Sequence, residues 1–303
     1  MKFKVISTVA VSFLSVQAFA ATISVSPTIA TISASSASST SSLLASSTKV
    51  PHIDHVIVVE FENTDYAKAI AQPTFSKLAK QGANISNFYA ETHPSQGNYI
   101  AMIAGDMYGV KNDLNVNLNG RHLGDLLEEA GKTWKVYASD FPGNCFLGER
   151  SGEYARKHVP FISFKNVQTD PARCANIVEG GELLNDLANG TLPNYSLYIP
   201  NMSEDGHDTG VAYADNWIKN SFLPSIQGSL PPSTLVVFTF DESSRSGGNH
   251  IYTSFYGDVV KPGSTYTSKI DHYGFLHTIE ALLGLQDLGK NDATAPVVTG
   301  IWK

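Results

Sequence analysis

The sequence predicts an α/β fold with a central, mostly parallel sheet and helices on both of its faces. Two observations carry that expectation. Several apolar, β-rich runs are continuous rather than alternating, as strands buried on both faces are. Between them lie segments of helical periodicity, several ending in glycine. In chain order the first strand is "HVIVV" (55–59), followed by a helix "TFSKLAKQ" stopped at Gly82 and a second helix "NYIAMIAG" (98–105). "HLGDLLEEAG" places Leu123, Leu126 and Leu127 on one face and ends at Gly131. "WKVYA" (134–138), "SLYI" (196–199) and "TLVVFTF" (234–240) supply three more strands, and "HYGFLHTIEALLG" (272–284) the last helix. No internal repeat interrupts the alternation, which is that of an α/β sandwich.

Residues 1–20 carry Lys2 and Lys4 before a broken apolar stretch and end in Ala18-Phe19-Ala20, the pattern of a cleaved secretory signal. Residues 21–50 read as a Ser/Thr-rich flexible arm, since they hold too little apolar surface to offset the entropy of ordering. The folded domain is expected over 51–303. Without its leader the chain keeps 19 basic and 28 acidic residues, a net charge of −9. So acidic a chain is unsuited to a nucleic-acid backbone, and no later run is long and apolar enough for stable membrane insertion. The expected setting is secreted, with cell-wall association open. Cys145 and Cys174, the only cysteines, are expected to pair there, contributing roughly 3 to 4 kcal/mol by loop closure. Sequons at Asn84, Asn189, Asn194 and Asn201 suggest a glycoprotein, with Asn201 expected to stay bare because it lies beside the proposed site.

Polar residues gather where strands end, as sites do in open α/β sheets. Glu62 and Asn63 follow the first strand, Asn201, Asp205, His207 and Asp208 follow "SLYI", and Asp241 and Glu242 follow "TLVVFTF". So many acids on one rim call for a cation among them. The oxygen-rich set Glu62, Asn63, Asp241 and Glu242 suits one divalent ion, Mg, Ca or Mn, with Zn not excluded. Ser95 precedes a helix whose free N–H groups favour an anion such as phosphate, and a neighbouring base or metal would activate its hydroxyl. An ordinary N-cap serine is the plain alternative.

"ENTDY", "HPSQGNY", "PNMSEDGHD", "FDES" and "DHYGFLHTIE", in this order, resemble the phosphoesterase family of secreted fungal acid phosphatases and bacterial phospholipases C, which belongs to the alkaline-phosphatase-like superfamily. The resemblance implies that Ser95 is the nucleophile and that Glu62, Asn63, Asp241 and Glu242 hold the metal. It also implies that Asn98 contacts phosphate and that His207 protonates the leaving oxygen, oriented by Asp205 or Asp208. His272 falls in a matching motif as a further catalytic candidate, and His93 and His250 as substrate-binding ones. His52, His55, His122, His158 and His277 are read as structural or surface residues. The expected reaction is hydrolysis of a small phosphate monoester through a phosphoserine. The chain has little room for the insertions of the larger phospholipases, which favours the phosphatase branch. Phospholipase C-type diester cleavage and a non-catalytic cell-wall interaction protein are the rivals, and the oligomeric state is left open.

Overall fold

Every residue of the strand Thr234–Phe240, and all but His55 of His55–Phe61, is buried. Successive side chains on a strand point to opposite faces, so both faces of the sheet must be covered. The computed structural model describes residues 50–245 and 248–303 and has this architecture. The predicted signal peptide and all but the last residue of the Ser/Thr-rich arm lie outside the described residues.

The main sheet has eight strands, in the spatial order Ser264–Tyr266, Ala83–Ile85, Thr253–Tyr256, Thr234–Phe240, His55–Phe61, Tyr195–Ile199, Trp134–Ala138, Ile177–Glu179. The last five run parallel to one another. Thr253–Tyr256 is antiparallel to both its neighbours. Two layers of helix follow from the side-chain alternation. Phe61 and Phe240 are paired in register and meet Phe75 of the helix Pro73–Gln81 at ring distances of 5.4 and 5.2 Å. Val237, three residues before Phe240, points the other way and is paired with Phe255, which meets Phe275 of the helix His272–Leu283. That helix packs in turn on Gln96–Ala104.

The predicted helices form as Pro73–Gln81, Gln96–Ala104, Leu123–Glu129 and His272–Leu283. Gly284 ends the last with φ 67°, the left-handed conformation that glycine adopts without penalty. Gly82 stops its helix for a different reason. Its φ is −115°, but a Cβ there would sit 2.0 Å from the Phe255 carbonyl oxygen, so the glycine lets the helix end lie against a strand. Cys145 and Cys174 are disulfide-bonded across 29 residues. Among the described residues no helix is long and apolar enough to cross a membrane.

Candidate active site

His55–Phe61 lies between Tyr195–Ile199 and Thr234–Phe240, all parallel, so their carboxyl ends open on one rim. Phe61 passes the chain to Glu62 and Asn63, and Phe240 to Asp241 and Glu242. Backbone bonds tie these loops together: Glu62 N donates to Asp205 O at 3.0 Å and Asp241 N to Phe61 O at 3.0 Å. Asn63 sits at φ 50°, a left-handed conformation that asparagine tolerates better than most residues. Its backbone N–H donates to Asp241 Oδ1 at 3.2 Å and its side-chain amide to Glu62 Oε2 at 2.8 Å.

Ser95 is buried at the start of Gln96–Ala104. Its hydroxyl donates to Glu62 Oε2 at 2.9 Å and lies 3.3 Å from Glu242 Oε1. It makes no capping bond to the helix, so it is not an ordinary N-cap serine. The Gln96 N–H instead donates to Asp113 Oδ1 at 3.1 Å. This corrects the expectation of an open anion site at that helix end, because its first N–H already serves a carboxylate.

Burial makes this rim electrostatically uneven. Burial, then the charges of Glu62 and Glu242, push the Asp241 carboxyl well above the usual carboxylate range. Burial and Glu62 push Glu242 up to about 8. Glu62 is also fully buried, which by itself would raise it, yet the positive charges of His158, Lys157 and His207 hold it down at about 2. His158 is the chief counter-charge. Its Nε2 lies 2.9 Å from Glu62 Oε1 and its Nδ1 3.4 Å from Asp205 Oδ2, and its ring stacks on Tyr99. Burial opposes its charge, but Glu62 and Asp205 raise it to about 9. The sequence reading leaves His158 as a structural or surface residue; it is buried, with its ring between Glu62 and Asp205 of the candidate site.

Asp241 Oδ2 is buried without a hydrogen-bond partner, and Glu62 Oε1 meets only His158. A buried carboxylate oxygen with no partner is costly unless a cation meets it. With Glu62, Ser95 Oγ and the Asn63 amide beside it, Asp241 belongs to an all-oxygen donor set that fits one hard divalent ion. Among the described residues, no group of three or more His, Cys, Asp or Glu side chains is arranged as a metal-holding cluster; the fit rests on the unpartnered Asp241 oxygen with the Ser95 hydroxyl and the Asn63 amide.

A polar cleft of about 320 Å³ opens over Ser95 between Asn63, Asp113, Lys157, His207 and Glu242. His207 Nδ1 pairs with Asp208 Oδ1 at 2.6 Å, while Asp205 Oδ1 accepts only the His207 backbone N–H, at 2.7 Å. Asp208, not Asp205, therefore orients the imidazole. Asn98, expected to contact phosphate, is fully buried in this structure: its Oδ1 accepts from the Glu91 and Thr92 N–H groups and its Nδ2 donates to Thr92 O, so it fastens the loop before Ser95. His272 lies behind the rim, its Nε2 2.7 Å from the Asp241 carbonyl oxygen, and is buried, so it supports the loop without reaching the cleft. His250 stacks between Tyr66 and Tyr89 and meets Ser86 O at 3.0 Å, which makes it structural. His93 Nδ1 meets Glu242 Oε2 at 2.5 Å and so holds a carboxylate at the site's edge. Asp113 and Lys157 were missed because Asp113 lies in an irregular segment and Lys157 in the short 3-10 helix Arg156–His158, neither with a local motif; only the folded chain brings them to Ser95.

This geometry can be set beside known proteins. The profile of the phosphoesterase family matches residues 65–286. Over 255 residues the chain is 35% identical to a probable acid phosphatase of Kluyveromyces lactis, covering 80% of this chain and 61% of that protein. Over 262 residues it is 36% identical to a phosphatidylinositol-3-phosphatase of Mycobacterium tuberculosis, covering 85% of each. The chain thus spans about three fifths of the yeast protein's length. In fold it is similar to an alkaline phosphatase superfamily protein from Vibrio parahaemolyticus, with TM-score 0.56 and 15% identity over 82% of this chain and 71% of that one.

Proposed function

The chain belongs to the phosphoesterase family, and on that premise we propose that it is a secreted, metal-dependent acid phosphatase that hydrolyses phosphate monoesters through a phosphoserine. The observation that carries this reading is the Ser95 hydroxyl, buried and held between Glu62 and Glu242. One divalent ion held by Glu62, Asn63, Asp241 and Glu242 would offset charge on the phosphoryl oxygens and lower the pKa of the Ser95 hydroxyl.

Ser95 Oγ attacks phosphorus and loses its proton to a flanking carboxylate. The bond between phosphorus and the ester oxygen breaks. His207, steadied through Nδ1 by Asp208, protonates that oxygen from Nε2 and releases the alcohol. Water then attacks the phosphoserine with His207 as base, the bond between phosphorus and Ser95 Oγ breaks, the carboxylate returns its proton to Oγ, and inorganic phosphate leaves. His158 holds Glu62 ionised in the resting site, and Asn98 fixes the loop that presents Ser95.

A lipid-borne monoester is a second substrate reading, favoured by the even coverage of the mycobacterial relative. Ser95→Ala should cost on the order of a thousandfold or more in kcat with an unchanged melting temperature. A variant that keeps most of its rate on p-nitrophenyl phosphate ends the proposal. Parallel assays on phosphatidylinositol 3-phosphate and on phosphatidylcholine separate the soluble, lipid-monoester and diester readings.

A further inference from the structure

Asp113 spends its two oxygens on different tasks. Oδ1 accepts the Gln96 N–H, the first of the helix that begins after Ser95, and Oδ2 accepts from Lys157 Nζ at 3.0 Å. The side chain of Lys157 is 17% exposed, lines the cleft with Ser95, and places Nζ 3.5 Å from His207 Nε2. The arrangement has an electrostatic consequence. A helix N-terminus ordinarily attracts an anion through its free N–H groups, but here a carboxylate has taken the first of them. Asp113 and Glu242 line the cleft, and so do two cations, Lys157 and Arg245. Of the two, Lys157 is the one held by Asp113 beside His207, and its compact point charge suits a phosphoryl oxygen.

Resting on the phosphatase reading above, we propose that Lys157 is a phosphoryl-binding residue of this site and that Asp113 is its positioning residue, together replacing the helix N-terminus as the anion receptor. When the ester enters, Nζ turns from His207 Nε2 to a phosphoryl oxygen while remaining bonded to Asp113 Oδ2. That movement leaves Nε2 facing the departing oxygen. Asp113 also couples the two parts of the site, since one carboxylate fixes both the ammonium and the turn that carries the nucleophile.

The test uses the full-length protein, with p-nitrophenyl phosphate turnover and calorimetric titration of inorganic phosphate as separate readouts. Lys157→Met should raise KM and weaken phosphate binding at least about tenfold, with a smaller change in kcat, as loss of an interaction made in both ground and transition states requires. Lys157→Arg should recover most of the phosphate affinity. Asp113→Asn should weaken phosphate binding in the parent protein but add nothing in the Lys157→Met background, because a positioning residue has no effect once its ligand is gone. An Asp113→Asn cost that persists in that background would make Asp113 a helix cap alone and overturn its assigned role. A Lys157→Met protein that melts like the parent and binds phosphate equally well would overturn the role of Lys157 while leaving the phosphatase reading standing. A parent protein that neither hydrolyses the ester nor binds phosphate would overturn both.

Discussion

Glu62 is the residue on which the site's electrostatics turn. It is fully buried, accepts from Ser95 and Asn63 through Oε2, and faces His158 through Oε1. One imidazolium cannot also neutralise Asp241 and Glu242, whose carboxyls burial and mutual repulsion push upward. A divalent ion would relieve that repulsion in the folded state only, so ion binding adds to stability by mass action. Chelation should therefore lower the melting temperature as well as abolish turnover, and readdition of Mg, Mn, Ca or Zn should restore both; element analysis of the purified protein identifies the ion. A protein whose melting temperature and activity ignore chelation would need another answer to the orphaned acids. The strand-end acids and Ser95 were legible in the sequence because each directly follows a strand or opens a helix. Lys157, His158 and Asp113 were not: they lie outside the strand-end motifs, and nothing in their neighbours' periodicity points toward Ser95.

Elements carry the next level of constraint. The helix His272–Leu283 packs on Gln96–Ala104, the helix that follows Ser95, and beyond its end the segment at 288–292 is fastened by Asp292, which accepts from Leu288 N and Lys290 N. Asn291 ties that segment to Gly105 O, at the end of the same helix. Glu280 is buried in the last turns of His272–Leu283. Burial, with the charges of Asp292 and Asp287, raises it from an ordinary 4.5 to about 9. The unfolded chain releases this proton near pH 4.5 while the folded chain keeps it to about pH 9. Its effect is therefore a stability that falls as pH climbs through that window. Glu280→Gln should flatten the decline of melting temperature between those limits; an unchanged slope would place the pH dependence elsewhere. The helices with long apolar faces and glycine stops were readable in advance. Strands of two or three residues, such as Ala83–Ile85 and Ser264–Tyr266, were not, because so short a run has no periodicity and forms only through its neighbours.

At the scale of the whole molecule, chain order and sheet order differ, and the site exists because of that difference. Strands that begin at residues 55, 195 and 234 become neighbours, bringing together loops separated by up to about 180 positions, as in the contact from Asn63 to Asp241. The sequence revealed four strands of the main sheet but not their order, which is set by packing of both sheet faces against the helices. In the proposed reaction this convergence makes Ser95 the nucleophile. Acid-quenching the enzyme during turnover of a phosphate monoester and mapping the phosphorylated peptide by mass spectrometry tests it most directly. Phosphate on Ser95, absent from the Ser95→Ala protein, is the predicted result; full turnover with the label on another residue would contradict it.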